Sequence, residues 1–353
     1  MKLNSIRVLW IIAAAMTIVS LPSSARASIM YGSLSNFDVV NDTGEICRGF
    51  EIELEGVNPP DIAFTFGNPY IRYADPVTVA TATGTIVRYA SAFGASGWAV
   101  GTPIPAGPFP TGGHACFYPA YGGDPNYQTL GGEHFGIALN GNPTNTTYRW
   151  LLGDAVGNLS PAGSNVKIPA PVWNVQPPAN PAVAPAAVQA VIPALPKQQP
   201  EDLFGEALWV KVYVTESPAP AELEHLVLGD PAVPDGSEPA EVEIEWQLLQ
   251  EGKDPQGGLD DVDSGLNDLA ADSESITRRY EFYQYIGPYD AEGEALVEDA
   301  LANPGAVGDF IGAQNAALNL APFVPEPASL ALLGIGLVGM ALCRGRTRKA
   351  ATA

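Results

Sequence analysis

His114, Cys116 and His134 are residue types that bind soft metal ions, and they fall close together in the chain. His114 and Cys116 are two positions apart, so a strand would turn both to one face. Gly131-Gly132-Glu133-His134 sets a carboxylate beside an imidazole, the groups used in general acid–base chemistry. On a strand, however, Glu133 and His134 point to opposite faces. Cys116 also has a competing use. It and Cys47 are the two cysteines outside the C-terminal apolar run. A bond between them would close a loop of about 70 residues, worth roughly 4 kcal/mol in the chain-entropy model. Two free buried thiols are the alternative. A disulfide partner cannot also serve as a metal thiolate, so a Cys47–Cys116 disulfide near solvated histidines is the expected arrangement.

Hard-ion chemistry has a second candidate. Asp260, Asp261, Asp263 and Asp268 supply oxygen ligands of the kind Ca2+ accepts, in a glycine-containing loop. The loop fails the EF-hand pattern: counted from Asp261, the sixth position is Leu266, where glycine is required. An unstructured acidic loop is the simpler reading. Carboxylates are so numerous that no one pair stands out as a glycosidase dyad. Trp98, Tyr118, Tyr121 and Tyr127 would make either a sugar-stacking platform or plugs for the ends of a sheet stack. There is no G-x-S-x-G elbow, H-E-x-x-H, C-x-x-C or phosphate-binding glycine loop. No catalytic, cofactor-binding or metal residue is assigned on these grounds, and a non-enzymatic body is expected.

The elements that would carry these residues are short strands. With 37 glycines and 33 prolines, long helices are disfavoured across most of the chain. Phe50-Glu51-Ile52-Glu53-Leu54-Glu55 alternates apolar and acidic, which predicts a half-buried strand with Phe50, Ile52 and Leu54 inward and the three glutamates in solvent. Ile62 to Phe66, Val77 to Thr81, Thr85 to Ala90, His134 to Leu139 and Tyr148 to Leu152 read as further strands. Turn clusters such as Asn140-Gly141-Asn142-Pro143 separate them. A second β region follows, with strands at Leu208 to Thr215, Glu241 to Leu248 and Ser275 to Ile286. Val242, Ile244, Trp246 and Leu248 are expected to face its core. Between the two regions, residues 161–200 hold ten prolines and nine alanines, the composition of an extended linker. Trp173 would pin that linker to the first domain. The fold class expected is mainly β: an antiparallel sandwich-like body with a Pro-rich extended segment and a short C-terminal transmembrane helix.

Charge narrows the partners. Between Ser28 and Val324 there are 10 basic and 38 acidic residues, a net charge of −28. Phosphate backbones would repel such a body, so nucleic acid is not an expected partner.

The two ends of the chain read as addresses. Lys2 and Arg7 precede an apolar run from Val8 to Val19, and Ala25-Arg26-Ala27 supplies an A-x-A site before Ser28. That is the pattern of a cleaved secretory signal peptide. Near the other end, Val324-Pro325-Glu326-Pro327 precedes an apolar run from Ala328 to Cys343, then Arg344, Arg346, Arg348 and Lys349. About 16 apolar residues at 1.5 Å each span about 24 Å, just short of a bilayer core of roughly 30 Å. The basic tail stays cytoplasmic by the positive-inside bias.

This succession resembles the PEP-CTERM sorting signal of Gram-negative bacteria. The resemblance implies processing by an exosortase, a membrane-embedded cysteine transpeptidase/protease. It further implies delivery to the cell surface or exopolysaccharide matrix after transit anchored in the inner membrane. Secretion machinery and exosortase are then partners, with exopolysaccharide as a further candidate. The segment from Asn41-Asp42-Thr43-Gly44 to Gly49-Phe50-Glu51-Ile52-Glu53 resembles uncharacterised proteins bearing the same signal, which implies no activity. The expected organisation is a signal peptide (1–27), a first β domain (28–160), a Pro/Ala-rich linker (161–200) and a second β region (201–290). A spacer with a short helix (291–323) and the sorting signal (324–353) complete it. A secreted carbohydrate-binding or carbohydrate-active protein is the alternative reading.

Overall fold

The computed structural model describes residues 31–105, 116–163, 166–176, 187–197, 202–226, 243–252, 261–263, 267–268, 273–296 and 306–320. In chain order the strands are β1 (Tyr31–Val40), β2 (Gly49–Glu55), β3 (Ile62–Thr65), β4 (Val77–Ala80), β5 (Gly84–Ala90), β6 (Phe93–Gly94), β7 (Gly97–Trp98), β8 (Gly132–Leu139) and β9 (Asn145–Gly153). They continue as β10 (Leu159–Pro161), β11 (Val172–Gln176), β12 (Ala187–Pro193), β13 (Leu208–Ser217), β14 (Glu243–Leu249), β15 (Asp261–Asp263), β16 (Asn267–Asp268), β17 (Ser275–Tyr285) and β18 (Val307–Leu320). Among the described residues they form a seven-stranded sheet in the order β14-β13-β17-β18-β1-β8-β3 and a five-stranded sheet in the order β10-β9-β2-β5-β4. A smaller sheet joins β11, β12 and β15, with β16 also on β12, and β6 pairs β7. Every pairing is antiparallel.

The two large sheets pack face to face across an aromatic core. Phe37 stacks on Tyr148 with ring centroids 4.5 Å apart, and Phe50 stacks on Phe135 at 4.2 Å. Each pair takes one ring from each sheet, so sheet packing and aromatic packing are the same event. Val210, Val212, Tyr280 and Phe282 extend this core beneath β13 and β17. The small sheet lies on the same face of the large one: Trp173, Val188 and Ala190 pack on Ile276, Ala316 and Leu318.

This topology corrects the expected division of the chain. β1, β3 and β8 of the first region share one sheet with β13, β14, β17 and β18 of the second. β18 lies between β17 and β1, so residues 28–160 and 201–290 are not separate domains. The expected linker supplies β11 and β12, and Trp173, 5% exposed, is pinned onto β17 and β18. Alternate small and apolar residues let the Ala/Val run of β12 pack despite its composition. The spacer is also corrected. Its described part holds β18, and residues 291–296 form turns closed by a Tyr289–Ala295 bridge rather than a helix. Residues 297–301 lie outside the described residues.

β2 follows its predicted alternation on the apolar side only. Phe50, Ile52 and Leu54 are at most 1% exposed. Glu51 is buried rather than solvated, because β2 is the central strand of its sheet and Arg88 and Arg149 on its neighbours lean over it. Arg88 reaches Glu51 at 2.5 Å and Arg149 reaches Glu53 at 2.6 Å. In β14 the buried residues differ from expectation as well. Leu249 enters the main core, while Trp246 and Leu248 pack on Trp209, Tyr283 and Tyr285. Val242 lies outside the described residues.

Candidate functional site

Strand alternation places a band of polar side chains on the outer face of the seven-stranded sheet. Along one register line stand Trp246, Lys211, Glu281, Ala313, Asp38 and His134, on β14, β13, β17, β18, β1 and β8. The next line holds Tyr213, Arg279, Asn315 and Asn36. Most of this band is buried: Asp38 and Asn36 are 0% exposed, His134 and Asn315 3%, and Arg279 and Glu281 6%.

The band closes its charges on itself. His134 Nδ1 lies 2.6 Å from Asp38 Oδ1. Phe66 stacks on the imidazole and Phe117 borders it. Arg279 donates to Glu281, and the hydroxyls of Tyr213 and Tyr283 donate to the same carboxylate. The guanidinium lies 5.3 Å from the Tyr213 ring centroid, and the Lys211 ammonium 4.7 Å from it. Asn36 and Asn315 face each other across β1 and β18. Their amides donate to the carbonyls of Leu223 and Leu226, which pins a 3-10 turn at Leu223–His225 over the sheet. Burial makes each unpaired charge costly, so internal pairing is what permits the band to exist.

Glu133 and His134 part to opposite faces, as strand alternation requires. On the inner side Arg72 donates through Nε to Glu133 at 2.6 Å. Its remaining nitrogens donate to the carbonyls of Gly101, Tyr127, Leu130 and Gly132. The Tyr127 hydroxyl donates to both Glu133 oxygens, at 2.9 and 3.0 Å. Burial pushes the Glu133 carboxyl up to about 7, with Arg72 pulling in the opposite direction. The cluster therefore ties the segments around residues 101 and 127–132 to β8.

Several sequence expectations change here. The Cys47–Cys116 disulfide is not formed: both are free, buried thiols. Cys47 packs in the core with Val39 and contacts Asn41 and Thr43, whereas Cys116 packs on Phe310 and Ala313 on the other side of the sheet. Burial raises the Cys47 thiol to about 11 and holds Cys116 well above its usual value. Of the His114–Cys116–His134 grouping, His114 lies outside the described residues. Among the described residues no group of three His, Cys, Asp or Glu is arranged to hold a metal. Asp261, Asp263 and Asp268 sit on β15 and β16 beside β12, and Asp260 lies outside the described residues.

Of the aromatic residues weighed as a platform or as plugs, Tyr118 and Tyr127 pack together with ring centroids 5.3 Å apart. Tyr127 is fully buried beneath Arg72, and Trp98 packs on Phe93 and donates to the Asp154 carbonyl. Tyr118 is exposed. Asp38, Arg72, Arg279 and Glu281 were not singled out by motif reading. Their partners lie far off in sequence, 96 positions for Asp38 with His134 and 61 for Arg72 with Glu133. Neither alternation nor spacing marks them: Arg72 lies in a bend between β3 and β4, and Arg279 and Glu281 stand among other polar residues of β17.

Fold and site together define a mainly β, antiparallel protein in which the buried carboxylates Asp38, Glu51, Glu133 and Glu281 are paired with His134, Arg88, Arg72 and Arg279. Its address is carried outside that body. Residues 323–346 match the PEP-CTERM protein-sorting motif. The chain thus carries a PEP-CTERM sorting signal, and the motif implies processing by an exosortase and sorting to the cell surface. Val324, Pro325, Glu326 and Pro327 fall within the match. These residues, the apolar run after them and the signal-peptide site at Ala25 and Ala27 lie outside the described residues. Among the described residues no helix is long and apolar enough to cross a membrane. No curated protein and no solved structure matches the chain.

Proposed function

We propose that this chain is an exosortase-sorted surface protein whose β body is non-enzymatic and joins the exopolysaccharide matrix. The sorting motif at residues 323–346 carries the reading. The body supports it in two ways. The His134 imidazole, the two thiols and the buried carboxylates are engaged with partners inside the protein. A small crevice between the sheets, bordered by Ser35, Leu54, Tyr148 and Trp173, offers hydroxyls and apolar walls without carboxylate, imidazole or thiol. Cell fractionation tests the reading. In a strain with exosortase the body should be recovered with surface and matrix material, and in a strain without it the protein should stay in the inner membrane. The same distribution in both strains would contradict sorting by this route.

A second reading, a carbohydrate-binding surface protein, rests on a different observation. Phe64, Tyr70 and Tyr118 are 46%, 45% and 38% exposed. Phe66 contacts the rings of both Phe64 and Tyr70, and the Tyr118 N–H donates to the Tyr70 carbonyl. Exposed rings of this kind stack on sugar faces. Tyr70→Ala combined with Tyr118→Ala should lower retention on immobilised matrix polysaccharide. Unchanged retention would remove this reading and leave the first intact.

A further inference from the structure

β1 and β18 are neighbours near the centre of the seven-stranded sheet, with β14, β13 and β17 on one side and β8 and β3 on the other. They run antiparallel, and Tyr31, the first residue of β1, stands opposite Leu320, the last of β18. Facing residues of an antiparallel ladder have Cα atoms about 4.5–5.5 Å apart. The two ends of the folded body therefore leave it side by side. β18 is held up to its last residue. Asn319 is paired with Ser275 of β17, and the Leu320 N–H donates to the Glu274 carbonyl at 2.9 Å. The fold thus continues almost to the sorting motif, which begins at residue 323.

Covalent reach then limits where the body can stand. Seven residues, 321–327, join Leu320 to the apolar run that begins at Ala328. At full extension they span at most about 25 Å. β18 alone has 14 residues, and at roughly 3.3 Å each it is about 46 Å long. The tether is therefore about half as long as the body it holds. Charge decides between a body that lies along the membrane and one that stands on it. Between residues 28 and 324 there are 10 basic and 38 acidic residues, so anionic headgroups repel the broad faces. The tether holds only the end from which it leaves.

We propose that the end of the body where β1 begins and β18 ends faces the lipid surface before exosortase processing, with the strands upright and the opposite end turned away. This rests on the reading of Ala328 to Cys343 as a membrane anchor. The loop after β8 and the segment after β13 stand beside the exits. Ser33 donates to the Gly141 carbonyl, and Ser275 donates to the Ala219 carbonyl. These two segments are then the parts of the body nearest the bilayer. The far end is marked by the turn after β9 and the turns after β17. Trp150 near the end of β9 donates to the Val40 carbonyl at the end of β1. Tyr285 at the end of β17 donates to the Leu296 carbonyl and pairs with Val307, the first residue of β18. An exosortase in the membrane meets the motif directly beneath the near end, and the cut end stays beside Tyr31.

The test is energy transfer from the protein to the membrane. Unprocessed chain from a strain without exosortase is placed in vesicles of phosphatidylcholine and phosphatidylglycerol that carry a lipid-linked acceptor dye. Cys47 and Cys116 are buried, and Cys343→Ser removes the remaining thiol. A donor dye is attached at Asn140→Cys or Ala219→Cys at the near end, and at Val156→Cys or Leu296→Cys at the far end; all four positions are exposed. The near sites should transfer at least ~2-fold more energy than the far ones, since the strands between them are about 46 Å long. About 40 Gly/Ser residues inserted after Ala321, with an r.m.s. span of roughly 35 Å, should lower transfer at the near sites while the protein stays on the vesicles. Equal transfer from the four sites, in protein that resists alkaline extraction, would overturn the proposal. So would near-site transfer that the inserted spacer leaves unchanged. Protein stripped from the vesicles by alkali would instead remove the anchor reading, and this orientation with it.

Discussion

Glu51 closes on Arg88 at 2.5 Å across β2 and β5, and only 4% of the glutamate remains exposed although it stands on the outer face of its sheet. The outer face is thus an ion-paired surface rather than a bare row of acids. Leu54, on the inner face, is 1% exposed in the main core. Leu54→Ala should cost about 2–5 kcal/mol through lost burial and the cavity left behind. Glu53→Gln, whose partner Arg149 is on the surface, should cost at most about 1 kcal/mol. Urea unfolding compares the two; equal losses would mean the faces of β2 are assigned wrongly.

The thiols make a separate prediction. Cys47 and Cys116 are free and buried, with Cys47 raised to about 11. A thiol with so little thiolate reacts slowly. Both should resist alkylation in the folded protein and react fully once it is unfolded without reductant. Recovery of a Cys47–Cys116 linked peptide from non-reduced material would contradict the structure.

Burial at Glu133 predicts a pH dependence. Its carboxyl is raised from 4.5 to about 7. Below about pH 4.5 it is protonated folded and unfolded alike; between there and about pH 7 the folded state holds a proton that the unfolded state has lost. Its contribution to stability is therefore present at low pH and is lost as pH rises through 7. The size is roughly 3 kcal/mol at 1.36 kcal/mol per unit. Glu133→Gln should flatten the fall in unfolding free energy over that window relative to the parent. An unchanged slope would show that Glu133 titrates near its ordinary value.

The sheet order predicts that the body folds as one unit. β1 is held between β18 and β8, with Phe37 opposite Gln314 and Phe135. A fragment of residues 28–160 lacks β18 and leaves one side of β1 unpaired. It should give broad, poorly dispersed amide NMR signals, while the whole body gives dispersed ones. A well-folded fragment would restore the two-domain division.

What could be read in advance follows from periodicity. Phe50 to Glu55 reads as a strand because one face is apolar and the other charged. β18 does not, because it is buried on both faces and built from small and amide residues such as Ala313, Asn315, Ala316 and Ala317. No alternation survives in such a strand, and its composition resembles a spacer. The opposite facing of Glu133 and His134 was legible from alternation alone. Their partners Arg72 and Asp38 were not, since each pairing depends on which strands become neighbours. The sorting motif was the most legible feature because its signal is contiguous in sequence.

Intact-mass measurement of protein recovered from the surface of native cells tests the central claim most directly. The expected species begins at Ser28 and is truncated near Val324-Pro325-Glu326-Pro327, without the segment holding Arg344 to Lys349. Surface protein that still carries Arg344 to Lys349 would contradict exosortase processing.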